Sequence, residues 1–244
     1  MRLAGDTGAV TAPGQFINIK LEGHFLRRPI SVNDVDESCI TIIYKVLGHG
    51  TEEMTHLSKG TELDILTGLG NGYDLSEAGS RPLLIGGGVG IPPLYLAAKL
   101  LRQKGTEVNV ILGFNSSEEI YYVDEFRALG CKVTVATADG STGVKGFVTD
   151  AFAGLGSDFT HFYTCGPEPM LRAVYKTVYR DAGISGQMSF EERMGCGFGA
   201  CMGCSCRTVT GYKRICKDGP VLRTEEILWQ TQEQLSAASG STTR

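Results

Sequence analysis

The chain has 244 residues, 42% of them hydrophobic and 20% charged, with 33 glycines, 8 cysteines and a net charge of −4 at pH 7. These values are typical of a globular protein of two or three modules, and they exclude disordered and fibrous proteins. The negative net charge argues against a nucleic-acid partner, because phosphate binding requires clustered Lys and Arg.

No apolar run reaches the roughly 18–20 residues that span a bilayer, and residues 1–6 lack the apolar core of a signal peptide. We therefore expect a cytoplasmic protein without a membrane segment. In that compartment, closely spaced cysteines indicate metal or redox chemistry rather than disulfide bonds.

The first predicted elements are short strands separated by turns. Apolar and polar residues largely alternate over 16–21, residues 39–46 are rich in β-branched side chains, and 62–66 is a third run of this kind. Strands this short and closely spaced predict a small antiparallel β-barrel over residues 1–78.

The pattern changes after residue 78 to strands that alternate with helices. Strands are predicted at 82–85, 107–114, 131–137 and 159–164, and helices at 92–105, 116–129, 148–152 and 168–182. Ser116 is the expected N-cap of the second helix. This alternation predicts a doubly wound parallel sheet over residues 79–184.

The remaining residues divide into a small module and a tail. Residues 185–232 contain a predicted strand at 187–190, a cysteine-rich segment at 196–216 and a short predicted helix at 225–229. Residues 233–244 are rich in Ser, Ala, Thr and Gly, so we expect them to be disordered.

The cysteine-rich segment carries the strongest motif. Cys196, Cys201 and Cys204 have the C-x4-C-x2-C spacing of plant-type [2Fe–2S] ferredoxins, which need a fourth cysteine further on, and Cys216 supplies it. Four thiolates can converge on two irons only if the loop turns sharply, which explains its glycines. The spacing therefore predicts a [2Fe–2S] site.

Two alternatives remain at this segment. The first is a zinc site with four cysteine ligands, although such sites usually have paired C-x2-C motifs and only Cys201 and Cys204 form one here. The second is that Cys206 replaces a neighbouring ligand, since in an extended segment it would share a face with Cys204. We treat Cys206 as a bystander because four ligands are already supplied. The isolated cysteines are predicted to be core residues: Cys39, Cys131 and Cys165.

Two segments of the predicted α/β domain are suited to a nucleotide. The glycines of segment 86–90 lie between a strand and a helix, where a pyrophosphate can approach bare backbone and the helix N-terminus. A tight turn without a ligand is the alternative, because Ile91 breaks the G-x-G-x-x-G pattern. Segment 165–170 lies at the carboxyl end of a later strand, where open α/β sheets bind ligands. Both segments can therefore face one site.

The predicted barrel carries a possible flavin site. The guanidinium of Arg28 suits bidentate contact with a pyrophosphate, and the hydroxyl of Ser31 can reach a flavin ring atom. Gly50 and Thr51 lie in a turn before a possible helix, which is again a place for phosphate. A solvated β-turn is the alternative for residues 28–31 taken alone.

The motifs occur in the order of the ferredoxin–NADP reductase superfamily: Arg-x-x-Ser at 28–31, Ile-Tyr-Lys at 43–45, Gly-Thr at 50–51, glycines at 86–90 and Cys-Gly-Pro at 165–167. With the cysteine spacing that follows, the chain resembles the electron-transfer subunits of class 1B dihydroorotate dehydrogenases. Segments 68–72 and 216–221 resemble the same family, and the resemblance extends from residue 13 to about residue 229.

The resemblance implies three cofactors and their residues. FAD is expected at Arg28, Pro29, Ile30, Ser31, Ile43, Tyr44, Lys45, Gly50 and Thr51. NAD is expected near Gly86, Gly87, Gly88, Val89, Gly90, Cys165, Gly166, Pro167 and Met170. The [2Fe–2S] cluster is expected on Cys196, Cys201, Cys204 and Cys216. Ser31 is expected near the reactive edge of the flavin and Cys165 beside the nicotinamide, with no catalytic acid or base in this chain.

The resemblance also implies the function and the partner. Electrons would pass from the FMN of a dihydroorotate dehydrogenase catalytic subunit through the cluster and FAD to NAD⁺, in pyrimidine biosynthesis, within a heterotetramer of two plus two subunits. Two features depart from the family pattern. Thr67-Gly68 replaces a common Gly-Pro, and the family has about one more strand before the position of Met1, so either Met1 is a misplaced start or the barrel lacks one edge.

Two rival functions remain open from sequence. A related FAD/[2Fe–2S] reductase subunit of a hydrogenase, a sulfur-reducing complex or a bifurcating transhydrogenase would contain the same modules. A zinc-stabilised, non-enzymatic binding protein would be colourless and contain no iron. Residues 115–117 do not distinguish NAD from NADP, and only the family resemblance favours NAD.

Overall fold

The computed structural model describes residues 1–229. Its first sheet has five antiparallel strands in the order β1-β4-β3-β2-β5, and it curls into a half-barrel. The strands are β1 (Arg2–Ala4), β2 (Phe16–Ile19), β3 (Arg28–Val35), β4 (Cys39–Ile42) and β5 (Ile65–Leu69), and helix α1 (His49–Glu53) lies between β4 and β5. Ile17, Ile19 and Ile42 are buried in the core of this half-barrel.

The second sheet has seven strands in the order β14-β11-β10-β6-β7-β8-β9, all parallel except β14. The elements in chain order are β6 (Leu83–Gly87), α2 (Pro92–Gln103), β7 (Asn109–Phe114), α3 (Val123–Ala128), β8 (Lys132–Thr137), β9 (Val144–Lys145), α4 (Val148–Leu155), β10 (Phe162–Cys165), α5 (Glu168–Val174), β11 (Gly186–Ser189), β12 (Ser205–Thr208), β13 (Gly211–Arg214) and β14 (Val221–Arg223). A π-helical turn, Tyr175–Asp181, continues α5.

Apolar side chains cover both faces of this sheet. One core contains residues of α4 and α5, and the other contains residues of α2 and α3. Burial on both faces is what a doubly wound sheet requires. The predicted fold class, an antiparallel flavin-type barrel followed by a parallel α/β sheet, is confirmed.

The segment predicted as a cluster module is inserted into the nucleotide sheet. Strand β11 pairs in parallel with β10, and β14 pairs antiparallel with β11 at the edge. The cysteine loop and the β12–β13 hairpin therefore lie between two strands that belong to the α/β sheet. Asn71, which follows β5, donates its amide to the carbonyls of Asp218 and Val221 at 3.1 and 2.9 Å. The half-barrel and the inserted segment are thus joined by direct hydrogen bonds.

Two predicted helices are wrong. Residues 116–129 contain only a short turn (Ser117–Glu119) and α3, because Tyr122 has a left-handed φ of 64° and interrupts the helix, and the Ser116 side chain makes no capping bond. Tyr122 instead packs edge-on against Tyr95, so tertiary packing overrides helix propensity.

Residues 225–229 form no α-helix. A turn at Thr224–Glu226 is followed by Ile227, which pairs with Thr208 of the hairpin. Strand β3 was not predicted, since it contains Pro29, Asn33 and Asp34, residue types that strands disfavour. Within residues 1–229, no helix is long and apolar enough to cross a membrane. The predicted tail at 233–244 lies outside the described residues.

His161 predicts a pH dependence of stability. The imidazole is 6% exposed just before β10, with Nε2 3.3 Å from Gln187 Nε2 and 3.9 Å from Glu77 Oε2. Burial lowers the pKa of His161, although the Glu77 carboxylate opposes this shift. Below the unfolded pKa of about 6.5, the unfolded chain therefore binds a proton that the folded chain does not, and the free energy of unfolding falls as the pH drops.

We expect His161→Gln to reduce the dependence of the free energy of unfolding on pH. For one proton, this dependence is at most about 1.4 kcal/mol per pH unit. Urea unfolding midpoints measured from about pH 5.5 to 7.5 would show it. His56→Gln, at an exposed position, is the matched control. Equal slopes in the wild type and His161→Gln would contradict the assignment.

Candidate functional site

The two predicted nucleotide segments meet at one edge of the parallel sheet. Strands β6 and β10 are neighbours, with Gly86 opposite Cys165. A Cβ atom at Gly90 would lie 2.3 Å from the carbonyl oxygen of Cys165, so the two loops are in direct backbone contact. A side chain at Gly87 would meet the sulfur of Met170 at 2.4 Å. These contacts explain why the loop after β6 requires glycine.

A cavity of about 480 Å³ opens at this edge. Its lining includes Gly87 and Gly88, Pro167 and Met170, and Asn115, Glu119 and Phe147. The other predicted NAD residues do not line it. Gly86 packs beneath Ile91, and Gly90 contacts Cys165. Val89 and Cys165 line a second cavity, and Gly166 lines a third cavity. The size and the exposed glycine backbone fit part of a dinucleotide.

A second cavity, of about 260 Å³, lies between the half-barrel and the parallel sheet. Eight of the nine predicted flavin residues line it: Arg28, Pro29, Ile30, Ser31, Ile43, Tyr44, Lys45 and Thr51. From the other side come Val89 and Cys165 of the nucleotide loops and Met194, which lies two residues before Cys196. This cavity therefore adjoins both the nucleotide loops and the cysteine loop.

Cys165 is a buried thiol in the second cavity. Burial raises the pKa of Cys165 to about 12, and the Glu191 carboxylate adds to the shift. The thiol is therefore neutral at physiological pH and contributes polarisable contact rather than charge.

Gly50, the ninth predicted flavin residue, makes room for Arg28. A Cβ atom at Gly50 would lie 2.0 Å from Nε of Arg28. The Arg28 guanidinium lies 2.8 Å from Nδ1 of His24 and donates to the carbonyl of Leu26. Within residues 1–229 it forms no ion pair with a carboxylate. An arginine that faces a cavity without an acidic partner fits a pyrophosphate.

Gly50→Ala is therefore expected to weaken FAD binding by roughly 10- to 100-fold, the value of a charge-assisted hydrogen bond. The arginine side chain can swing aside, so the stability of the fold should change little. Flavin fluorescence during dilution would measure the FAD dissociation constant. Gly48→Ala is the control, because a Cβ atom there meets nothing within 4 Å. Equal FAD affinity in the two variants would contradict this role of Gly50.

Backbone N–H groups donate to the sulfur atoms of two of the predicted cluster cysteines. The backbone N–H groups of Ala200 and Cys201 donate to Sγ of Cys196 at 3.2 and 3.5 Å, and the N–H of Cys216 donates to Sγ of Cys204 at 3.3 Å. Cys204 and Cys216 are buried, whereas Cys201 is exposed. Burial alone would raise the pKa of Cys196, but the N–H groups of the loop lower it to about 6. The loop therefore favours the thiolate, which is the form that binds metal.

Four cysteines are the donor set that a [2Fe–2S] cluster takes. Within residues 1–229, no three His, Cys, Asp or Glu side chains converge on a point that suits a single metal ion. A [2Fe–2S] cluster needs two thiolates for each iron, so all four predicted cysteines would be used. Cys206 lies on β12 and lines a different cavity, beside Phe190 and Trp229.

Family models and known relatives match this chain over most of its length. Residues 191–228 match the family model "Iron-sulfur cluster binding domain of dihydroorotate dehydrogenase B", and residues 84–176 match "Oxidoreductase NAD-binding domain". The "Dihydroorotate dehydrogenase B (NAD(+)), electron transfer subunit" of Fusobacterium nucleatum is 44% identical over 228 residues, covering 88% of this chain and 86% of the relative. The protein of that name from Geobacillus sp. is 42% identical, covering 90% and 88%.

The chain belongs to the family of dihydroorotate dehydrogenase B electron transfer subunits. A solved structure outside this name is also similar: an NADH-dependent reduced ferredoxin-NADP oxidoreductase, described as a flavin-based bifurcating enzyme, is 31% identical with a TM-score of 0.84. The alignment covers 98% of this chain and 91% of that one. The family resemblance that the motif order predicted is thereby confirmed.

Several residues that line the two cavities were not predicted from the sequence. Glu119 and Phe147 line the larger cavity, and Glu191 and Met194 line the smaller one. Glu119 follows β7, so the rule that ligands bind at the carboxyl ends of strands could have indicated it. Nothing in the local sequence indicates Phe147, Glu191 or Met194, because the arrangement of the strands in the sheet brings these residues to the cavities.

Proposed function

We propose that this chain is the electron transfer subunit of a dihydroorotate dehydrogenase B complex, passing electrons from its partner to NAD⁺ in pyrimidine biosynthesis. One observation carries the proposal. The smaller cavity is lined by Ser31 of the half-barrel, by Cys165 of the nucleotide loops and by Met194 of the cysteine loop. A flavin held there would adjoin both of the other cofactors.

The chemistry requires this order of sites. A nicotinamide exchanges two electrons as hydride and a [2Fe–2S] cluster exchanges one at a time, and a flavin supplies the exchange between them. The residues of this chain bind and orient these three cofactors. Arg28 provides a cation for the pyrophosphate of FAD, and the glycine loop provides bare backbone for that of NAD. Cys196, Cys201, Cys204 and Cys216 provide the four thiolates.

The domain limits are part of the proposal. We assign FAD binding to residues 1–78, NAD binding to 79–184 and the cluster to 185–232. The insertion of the cysteine loop between β11 and β14 supports a compact relay, because both strands belong to the sheet that holds the nucleotide loops.

The partner is proposed to be the FMN-containing catalytic subunit, in a heterotetramer of two plus two subunits. The cysteine loop exposes Phe198 and Met202, at 54% and 53%, on either side of the exposed Cys201. Exposed apolar side chains on this loop are suited to contact with a partner protein. We place the complex in the cytoplasm, where cysteines persist as the thiols that a cluster needs.

A second candidate has a specific observation in its favour. The likeness to the bifurcating oxidoreductase covers nearly the whole chain at a TM-score of 0.84. In that case the chain would serve a bifurcating transhydrogenase rather than dihydroorotate oxidation. The higher identity to the dihydroorotate dehydrogenase B subunits favours the first function.

The test is anaerobic purification of the chain together with its natural partner, followed by a visible spectrum, metal and flavin analysis, and activity with dihydroorotate and NAD⁺. About two irons and one FAD per chain, with dihydroorotate-dependent NADH formation, would support the proposal. The same cofactors with a partner that does not oxidise dihydroorotate would favour the second candidate. Zinc without iron or flavin would overturn both.

A further inference from the structure

Two consecutive tyrosines before α3 reach two different parts of the fold. The hydroxyl of Tyr121 donates a hydrogen bond to the carbonyl of Gly88, in the glycine loop at 86–90, at 2.8 Å. The hydroxyl of Tyr122 accepts a hydrogen bond from the side-chain amide of Asn33, on β3 of the half-barrel, at 2.7 Å. The two side chains therefore connect the half-barrel to the loop that follows β6.

The backbone at Tyr122 is strained. Its φ of 64° is left-handed, a conformation that bulky residues seldom adopt. Such a conformation persists only where the surrounding structure imposes it, and it is found most often at functional sites. The rings of Tyr95 and Phe126 pack edge-on against Tyr122, with centroids 5.0 and 6.3 Å away. This packing and the hydrogen bond from Asn33 hold Tyr122 in place.

The half-barrel end of the connection is buried. Asn33 is 0% exposed, and its Oδ1 atom has no hydrogen-bond partner within residues 1–229, so Tyr122 supplies the bond that its amide makes. The adjacent Asp34 forms an ion pair with Lys99 of α2, with N–O distances of 2.7 and 2.9 Å. Ser31, which lines the flavin cavity, lies two residues before Asn33 on the same strand. The connection thus starts from a strand that forms part of the flavin cavity.

The other end of the connection is a loop that borders both cavities. Gly88 lines the larger cavity, and the next residue, Val89, lines the smaller one. A Cβ atom at Gly88 would meet nothing within 4 Å, so no packed side chain holds this position. Its carbonyl accepts hydrogen bonds from the N–H of Ile91, which follows the loop directly, and from Tyr121, which comes from a distant segment. Burial raises the pKa of Tyr121, so its hydroxyl keeps the proton that it donates.

We propose that Tyr121 and Tyr122 form a brace that holds the glycine loop against the half-barrel and so sets the distance between nicotinamide and flavin. Reacting atoms must lie about 3–3.5 Å apart, and a displacement of about 1 Å caused far from the chemistry can lower the rate by about 100-fold. Both tyrosines are positioning residues, because neither lines either of these two cavities. The inference rests on the proposed function, which places FAD in one cavity and NAD in the other.

The test uses Tyr121→Phe, Tyr122→Phe and the double variant, each purified with FAD, iron and the partner subunit. Each change removes one hydroxyl and keeps the ring. Tyr179→Phe is the matched control, since Tyr179 packs in the core on the other face of the sheet and lines neither cavity. Rapid mixing with NADH measures the limiting rate of flavin reduction separately from the dissociation constant of NADH. Flavin content and thermal unfolding show whether each variant is loaded and folded.

We expect the limiting rate to fall by about tenfold or more in each single variant, while the dissociation constant of NADH changes by less than about threefold. The two hydroxyls act in series, so the double variant should be no slower than the slower single variant, whereas independent effects would multiply to about 100-fold. A fall of less than about threefold in either single variant, a loss of NADH affinity alone, or multiplied losses in the double variant would overturn the brace. Tyr179→Phe should match the wild type.

Amide hydrogen exchange supplies a measurement without turnover. In the absence of nucleotide, the amides of residues 86–91 should exchange about tenfold faster in both single variants than in the wild type and in Tyr179→Phe. Unchanged exchange at 86–91 would contradict the brace even where flavin reduction is slower. Tyr121 is partly exposed, so Tyr121→Phe is expected to fold and carries the test alone if Tyr122→Phe does not.

The outcomes separate this inference from the proposed function. A wild-type complex whose flavin is reduced by NADH, with tyrosine variants that match it, would overturn the brace alone. A wild-type complex whose flavin is not reduced by NADH would overturn the proposed function and the brace together.

Discussion

Cys201→Ser is expected to reduce electron transfer between NADH and the partner subunit to below about 1% of the wild-type rate. Loss of a residue that merely supports a metal ligand costs 10- to 100-fold, and loss of a ligand should cost at least as much. A serine hydroxyl is not ionised at neutral pH and is a poor donor for iron that prefers thiolates. Cys201 is also the exposed cysteine of the four proposed ligands, so it lies where the partner would approach.

The variant should separate the two halves of the relay. Oxidation of NADH by a dye that accepts electrons from the flavin should continue, and so should oxidation of dihydroorotate by dyes on the partner subunit. The iron content and the visible spectrum would show whether the cluster is lost. Cys39→Ser is the matched control, since Cys39 lies on β4 of the half-barrel. Equal loss of all three activities in Cys201→Ser would count against the relay.

Gly90→Ala is expected to separate the two nucleotide loops. The added Cβ atom would lie 2.3 Å from the oxygen and 2.4 Å from the carbon of the Cys165 carbonyl, and 2.5 Å from the nitrogen of Gly166. All three are backbone atoms, so no side chain can move aside to relieve the overlap. The free energy of unfolding should fall by about 1–3 kcal/mol, as in an overpacked core. The affinity for NAD⁺ should fall by about tenfold or more, because both loops border its cavity.

Gly154→Ala is the control for this variant. Gly154 lies in α4, and a Cβ atom there meets nothing within 4 Å. Alanine favours a helix by up to about 1 kcal/mol over glycine, so this change should be neutral or stabilising. Urea unfolding and NAD⁺ titration of the two variants would check both expectations. A Gly90→Ala protein with wild-type stability and affinity would show that the loops can move apart at no cost.

Local spacing carried much of the prediction. The C-x4-C-x2-C pattern indicated the cluster because thiolates on one tight loop can reach only a small set of metal sites. The glycines at 86–90 indicated a strand-to-helix turn, because a close approach between backbone segments leaves no room for side chains. The short strands and the alternation of strands with helices indicated the two sheets. Each of these signals lies within a few residues of sequence.

The predictions that failed concern segments whose structure is set by contacts between residues distant in sequence. The helix expected at 116–129 is broken at Tyr122, whose ring packs against Tyr95 of α2. The helix expected at 225–229 is replaced by a pairing between Ile227 and Thr208. In both segments, packing energy from residues far away in sequence exceeds the small differences in helix propensity.

By itself, then, the sequence determined the fold class, the family and the candidate ligands of the cluster, because these depend on short-range spacing and on hydrophobic periodicity. The tertiary structure alone decided that Ser31, Cys165 and Met194 line one cavity and that the cysteine loop is inserted between β11 and β14. It also decided that Glu119 lines the larger cavity together with Gly87 and Gly88. The register and order of strands set these relations, and they bring together residues that no local pattern connects.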